Sequence, residues 1–124
     1  MTILNAHQIA DFEAEVGHKF PTVYKQLLET IGYGSDAKNR YIVYKPTQIA
    51  ADYEHHFEDA ADLFNKYFPI GCNELNQEIW LADMETGMVA SIWHETHPDD
   101  YPDEEWLTSD IWLHAYFLAD SEQQ

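Results

Sequence analysis

Apolar positions early in the chain recur at helical spacing, and those in its second half recur at strand spacing. Ile9, Phe12 and Val16 fall three and four residues apart. That is one face of a 3.6-residue period, so residues 7–16 are predicted as a short helix. Gly17 follows as its stop. Pro21, suited to a first helical turn, opens a second stripe of Val23, Leu27, Leu28 and Ile31. Gly32 and Gly34 end it, and residues 35–39 read as a polar loop.

The period then changes. Tyr41, Ile42, Val43 and Tyr44 are aromatic and β-branched, so residues 40–45 are predicted as a strand closed by Pro46. Thr47 is a suitable cap for a long helix in which Ile49, Tyr53, Phe57, Ala60 and Phe64 repeat every three or four residues. Phe68, Pro69, Ile70 and Gly71 form a short extended piece. Residues 78–83 and 88–94 read as two strands joined by a turn at Glu85, Thr86 and Gly87. Trp80 and Trp93 are both expected in the core. Thr108 or Ser109 caps a final helix bearing Ile111, Trp112, Ala115, Phe117 and Leu118. Strands gathered in the second half imply an α+β fold: a central, mainly antiparallel sheet with helices packed around it. No repeat, low-complexity tract or linker interrupts the 124 residues, so one domain over 1–124 is expected.

Composition tests whether this pattern can fold. The chain carries 6 Lys and Arg against 23 Asp and Glu, a formal net charge of −17. Leu, Ile, Val and Phe make up 28 of 124 residues. That is above the level of about 20% below which highly charged chains stay disordered. Four Trp and eight Tyr add further apolar bulk. The acidity argues against nucleic acid and anionic membranes as partners. The uncharged run over residues 111–119 is too short to span a bilayer. The first residues show no secretory pattern, and the lone Cys72 cannot close an internal disulfide. A cytoplasmic location is expected.

The distribution of charge says more than its total. All six basic residues lie within the first 66 positions, where the net is −4; beyond Lys66 there are thirteen acids and no Lys or Arg, a net of −13. Spread evenly over about 7,000 Å², seventeen charges would sit roughly 20 Å apart, beyond a Debye length of about 8 Å at physiological salt. Asp99, Asp100, Asp103, Glu104 and Glu105 instead fall within seven residues. Their fields add, and such a patch steers a basic partner where diffuse charge would not. A purely solvating acidic loop is the plainer reading.

Catalytic signals are sparse. His94 and His97 are three apart and followed by Pro98, so they do not form the helical His-Glu-x-x-His zinc motif. They read as surface histidines. His55 and His56 are adjacent on a predicted helix and diverge by about 100°. Cys72, between Gly71 and Asn73, reads as a buried, inert thiol. There is no phosphate-binding glycine loop and no nucleophile elbow. No catalytic residue, metal or cofactor is assigned, and a binding protein is expected in place of an enzyme.

Several motifs in order resemble the SMI1/KNR4 family, or SUKH superfamily. Phe12 and Glu13, then Gly17, Phe20, Pro21, Tyr24, Leu28, Gly32 and Gly34 are similar to that family's opening helix, Leu-Pro step, Tyr-bearing helix and glycine pair. Here Phe20 stands in place of the usual Leu, and Tyr33 separates the glycines. Phe68, Pro69, Ile70 and Gly71 resemble a family strand start, and Gly87, Met88 and Val89 leading to Trp93 resemble its hairpin. The resemblance runs from Ile9 to Leu118. It implies an α+β fold. In bacteria it implies immunity proteins that neutralise toxins delivered by neighbouring cells, nucleases among them; in fungi, regulators of cell-wall synthesis. It carries over no catalytic residue.

Charge and resemblance together predict an immunity protein that binds the C-terminal domain of a cognate toxin, a basic protein partner. The alternative is a regulatory protein-binding module of the same fold with no toxin partner. The residues expected to meet the partner are Asp99, Asp100, Tyr101, Asp103, Glu104, Glu105 and Trp106. Tyr101 and Trp106 would be aromatic anchors. For Trp106 the competing expectation is packing ahead of the final helix.

Overall fold

The computed structural model describes residues 2–36, 40–49, 66–75, 77–93, 96 and 100–115. The long helix expected after Thr47 lies almost wholly outside them, as do His55, His56, and the Phe117 and Leu118 end of the final helix.

Helix α1 (Ala6–Val16) begins where local chemistry says it should. Asn5 caps it, its side chain accepting from the Gln8 N–H while the Gln8 side chain accepts from the Asn5 N–H, a reciprocal capping box. It ends at Gly17, whose φ of 79° is left-handed and whose N–H donates to the Glu13 carbonyl. Helix α2 (Thr22–Thr30) follows Pro21, which occupies the cap position and not the first turn. No side chain caps α2.

Five strands follow: β1 (Gly34–Ser35), β2 (Tyr41–Val43), β3 (Tyr67–Asn73), β4 (Glu78–Asp83) and β5 (Val89–Trp93). They form one sheet in chain order, every neighbouring pair antiparallel. The expected α+β fold with an antiparallel sheet is therefore the fold observed. Two details differ from expectation. Ser35 pairs with Ile42, so the loop expected from that residue starts one pairing later. The short extended piece around Pro69 is the middle of the seven-residue central strand. Pro lacks the N–H a central strand needs, and the pairing shifts between Pro69 and Gly71 accommodate it as a bulge. At Gly71 the backbones come so close that a Cβ would lie 2.4 Å from the Ile42 carbonyl oxygen and 2.9 Å from the Trp80 ring. Only glycine fits there.

The sheet buries both faces. On one, Ile9, Val23, Tyr24, Leu27 and Leu28 of the helices meet Val43, Phe68, Ile70, Trp80, Ala82 and Val89. Phe20, Tyr24 and Phe68 pack as mutually tilted rings with centroids 5.2–5.5 Å apart. The Tyr24 hydroxyl donates to the Tyr44 carbonyl, which satisfies it in a site where burial pushes its pKa far up. Helix α3 (Ser109–Leu113) adds Trp112, packed edge-on to Trp80 at 5.2 Å. The other face holds a smaller cluster of Tyr67, Leu81, Ala90 and Ile92.

Trp80 is buried as expected, but Trp93 is 50% exposed. Trp93 pairs with Glu78 and Trp80 with Ser91, so both indoles share the helix-covered face. The alternation was legible. Trp93 sits at the strand end, past the cover that buries Trp80.

Candidate protein-docking surface

Residues 100–107 of the acidic segment lie against the second face of the sheet. Its two aromatic residues hold it there. Trp106 stacks on Tyr67 with centroids 5.9 Å apart and planes 22° apart. Tyr101 meets Trp106 edge-on at 6.0 Å. Both are half-buried against Tyr67, Leu81, Ala90 and Ile92. The segment is pinned at its far end by two backbone bonds, from the Val89 N–H to the Leu107 carbonyl at 2.8 Å and from the Leu107 N–H to the Val89 carbonyl at 2.9 Å. Thr108 then caps α3, its hydroxyl accepting from the Ile111 N–H at 3.4 Å.

Between these anchors the backbone makes a 3₁₀ turn at Asp103–Glu105, with the Glu105 N–H donating to the Pro102 carbonyl. Asp100, Glu104 and Glu105 are exposed. Asp103 contributes its backbone to the turn, its side chain lying outside the described residues, as does the whole of Asp99. The seven expected contact residues thus divide by physical type. Tyr101 and Trp106 attach the segment to the sheet, and the side chains of Asp100, Glu104 and Glu105 face water.

This arrangement gives the charge a fixed place. A free acidic loop would lose conformational entropy on binding, whereas a segment tied by two rings and a backbone bridge has lost much of it on folding. The nearest basic side chain in sequence to Tyr67, Lys66, lies over the Tyr67 ring at 5.2 Å.

Other chemistry is structural. Asp36 is buried and bound to Arg40 through its guanidinium Nε at 2.8 Å and backbone N–H at 2.6 Å, with a further bond from the Tyr41 N–H. Burial acts to raise the Asp36 carboxyl, but the Arg40 side chain and these backbone donors outweigh it and hold the pKa below the ordinary carboxylate value. Cys72 is half-buried, less enclosed than expected, with its sulfur 3.8 Å from a Glu74 carboxylate oxygen. Among the described residues, no three His, Cys, Asp or Glu side chains gather as metal ligands. His94, Glu95 and His97 lie outside those residues. Among them too, no helix is long and apolar enough to cross a membrane.

One feature escaped sequence reasoning. A cleft of about 540 Å³ opens between the start of α2, the β4–β5 turn and the start of α3. Its walls come from three segments far apart in the chain, so no local motif marks it.

The model of the SMI1-KNR4 cell-wall family, SUKH_6, matches residues 6–110. The chain belongs to the SMI1/KNR4 family. The matched span runs from the first residue of α1 into the first turn of α3, and so includes the acidic segment. No curated protein and no solved structure gives a significant match to this SMI1/KNR4 domain.

Proposed function

We propose that this SMI1/KNR4 domain is a cytoplasmic immunity protein that binds and neutralises the C-terminal domain of a cognate bacterial toxin. It works by occlusion and performs no catalysis. The observation that carries the reading is the fixed acidic segment, in which Asp100, Glu104 and Glu105 are exposed on a turn anchored by Tyr101 and Trp106. A toxin that acts on nucleic acid needs a basic cleft, and a rigid acidic ridge complements one. The net charge of −17 also supports a basic protein over nucleic acid or an anionic membrane as the partner.

The test pairs this domain with each candidate toxin domain that a neighbouring gene encodes. Neutralising Asp99, Asp100, Asp103, Glu104 and Glu105 to Asn or Gln should slow association about tenfold or more at low salt and flatten its salt dependence. An unchanged rate and salt slope would remove the acidic segment from the interface. The family's description as cell-wall proteins favours a second reading, a regulatory binding module with no toxin partner. A housekeeping gene neighbourhood, together with failure to protect cells against any neighbouring toxin, would select it.

A further inference from the structure

The 540 Å³ cleft is unlike the acidic ridge in its chemistry. Its apolar lining includes Phe20 and Pro21 from the start of α2 and Met84 and Met88 from the β4–β5 turn. Methionine is unbranched and polarisable, and it adapts to the shape of what it meets. Among the described residues, the charged side chains lining the cleft are those of Asp83 and Glu85, with no Lys or Arg. The β4–β5 turn that carries these residues is well defined. The Asp83 carboxylate accepts from the Glu85 N–H at 2.8 Å and the Thr86 N–H at 3.1 Å. The Thr86 hydroxyl accepts from the Met88 N–H at 3.2 Å.

The sign of the field decides what the cleft can hold. The uncapped start of α2 contributes about half a positive charge, against two full carboxylates. The balance is negative, and a cation is favoured. The cleft also adjoins the acidic segment. The Val89–Leu107 bridge places Met88, one residue before Val89, beside Thr108, one residue after Leu107. Both residues line the cleft.

We infer that the cleft is the second half of the docking surface and receives an arginine-bearing loop of the partner. The aliphatic stem of the arginine lies on Met84 and Met88, and its guanidinium meets Glu85 and Asp83. Long cationic side chains combine these two needs, an apolar stem and a charged head. The inference rests on the proposed binding role but assigns a different site and a different chemistry from the acidic ridge.

The chain has three methionines, Met1, Met84 and Met88, so ¹³C-methyl labelling reports directly on the cleft and supplies a control. The probe is a cyclic peptide alternating arginine and leucine, titrated alongside hexa-arginine and a cyclic glutamate–leucine peptide. The arginine–leucine peptide should shift the Met84 and Met88 methyl signals and leave Met1 unmoved. Hexa-arginine should move chiefly the amides of Asp100, Glu104 and Glu105. Glu85→Lys, an exposed change on the turn, should weaken the arginine–leucine peptide by about three- to fivefold. Silent Met84 and Met88 methyls with responsive acidic-segment amides would overturn the cleft assignment and leave the acidic docking ridge standing. An equal response to the glutamate–leucine peptide would overturn the assigned charge. Silence of both methyls and amides would overturn the ridge and the cleft together.

Discussion

Replacing Trp106 with Ala asks whether the acidic segment is held by its aromatic residues or merely passes over the sheet. Trp106 is half-buried, stacked on Tyr67 and edged by Tyr101. An indole in such a place hides on the order of 150 Å². At about 25 cal/mol per Å² that is worth nearly 4 kcal/mol, an upper bound because the unfolded chain already hides part of its apolar surface. Lost ring–ring contacts add about 1 kcal/mol, and side-chain entropy regained on truncation offsets about the same. A net loss of about 2–3 kcal/mol is expected. Urea unfolding followed by circular dichroism, which does not depend on the deleted fluorophore, should show a lower midpoint with an unchanged slope. A double-mutant cycle with Tyr67→Leu should return a coupling of about 0.5–1.5 kcal/mol. The functional consequence is separate. A loosened segment should also associate more slowly with a basic partner, although no carboxylate has been removed. A loss below about 0.5 kcal/mol, the range of an ordinary surface change, would refute the anchoring argument.

Two further outcomes follow from the sheet. Gly71→Ala should cost about 3 kcal/mol or more and lower the melting temperature by on the order of 10 °C, because the new methyl meets the Ile42 carbonyl at 2.4 Å and that oxygen belongs to a paired strand. An unchanged melting temperature by calorimetry would contradict the close approach. The Asp36 carboxyl is held below its ordinary value of 3.8, so between the folded and unfolded values the unfolded chain binds the extra proton. Its contribution to stability is therefore present above about pH 4 and lost as the pH falls through the folded value. In urea midpoints measured across pH 2–7, Asp36→Asn should show a shallower acid limb than the parent, and parallel curves would show that Asp36 contributes no acid sensitivity.

Much of this SMI1/KNR4 domain was written locally. Asn5 with Gln8 and Gly17 bound α1 through hydrogen bonds spanning three or four residues, and Thr108 caps α3 in the same way. The turn at Glu85, Thr86 and Gly87 and the alternation through β4 and β5 set an antiparallel pair without reference to the rest of the chain. Charge clustering at Asp99 to Glu105 was also plain, because like charges adjacent in sequence remain adjacent in space.

What the sequence could not decide was cover. Trp80 and Trp93 obey the same alternation and share a face, yet Trp112 packs over one while the other stays half in water. Phe68 to Gly71 read as a short extended piece, and only pairing on both sides made it the middle of the central strand, with a bulge that tolerates Pro69. Trp106 had two readings, partner anchor or packing ahead of the final helix, until Tyr67, 39 residues before it, was found beneath its ring, and Tyr101, read as an anchor alone, packs edge-on to the same indole. The cleft between two helix starts and a hairpin turn had no sequence signature at all. Propensity, capping and charge act over a few residues and can be read along the chain. Burial depends on which distant segment arrives on top, and only the folded chain determines that.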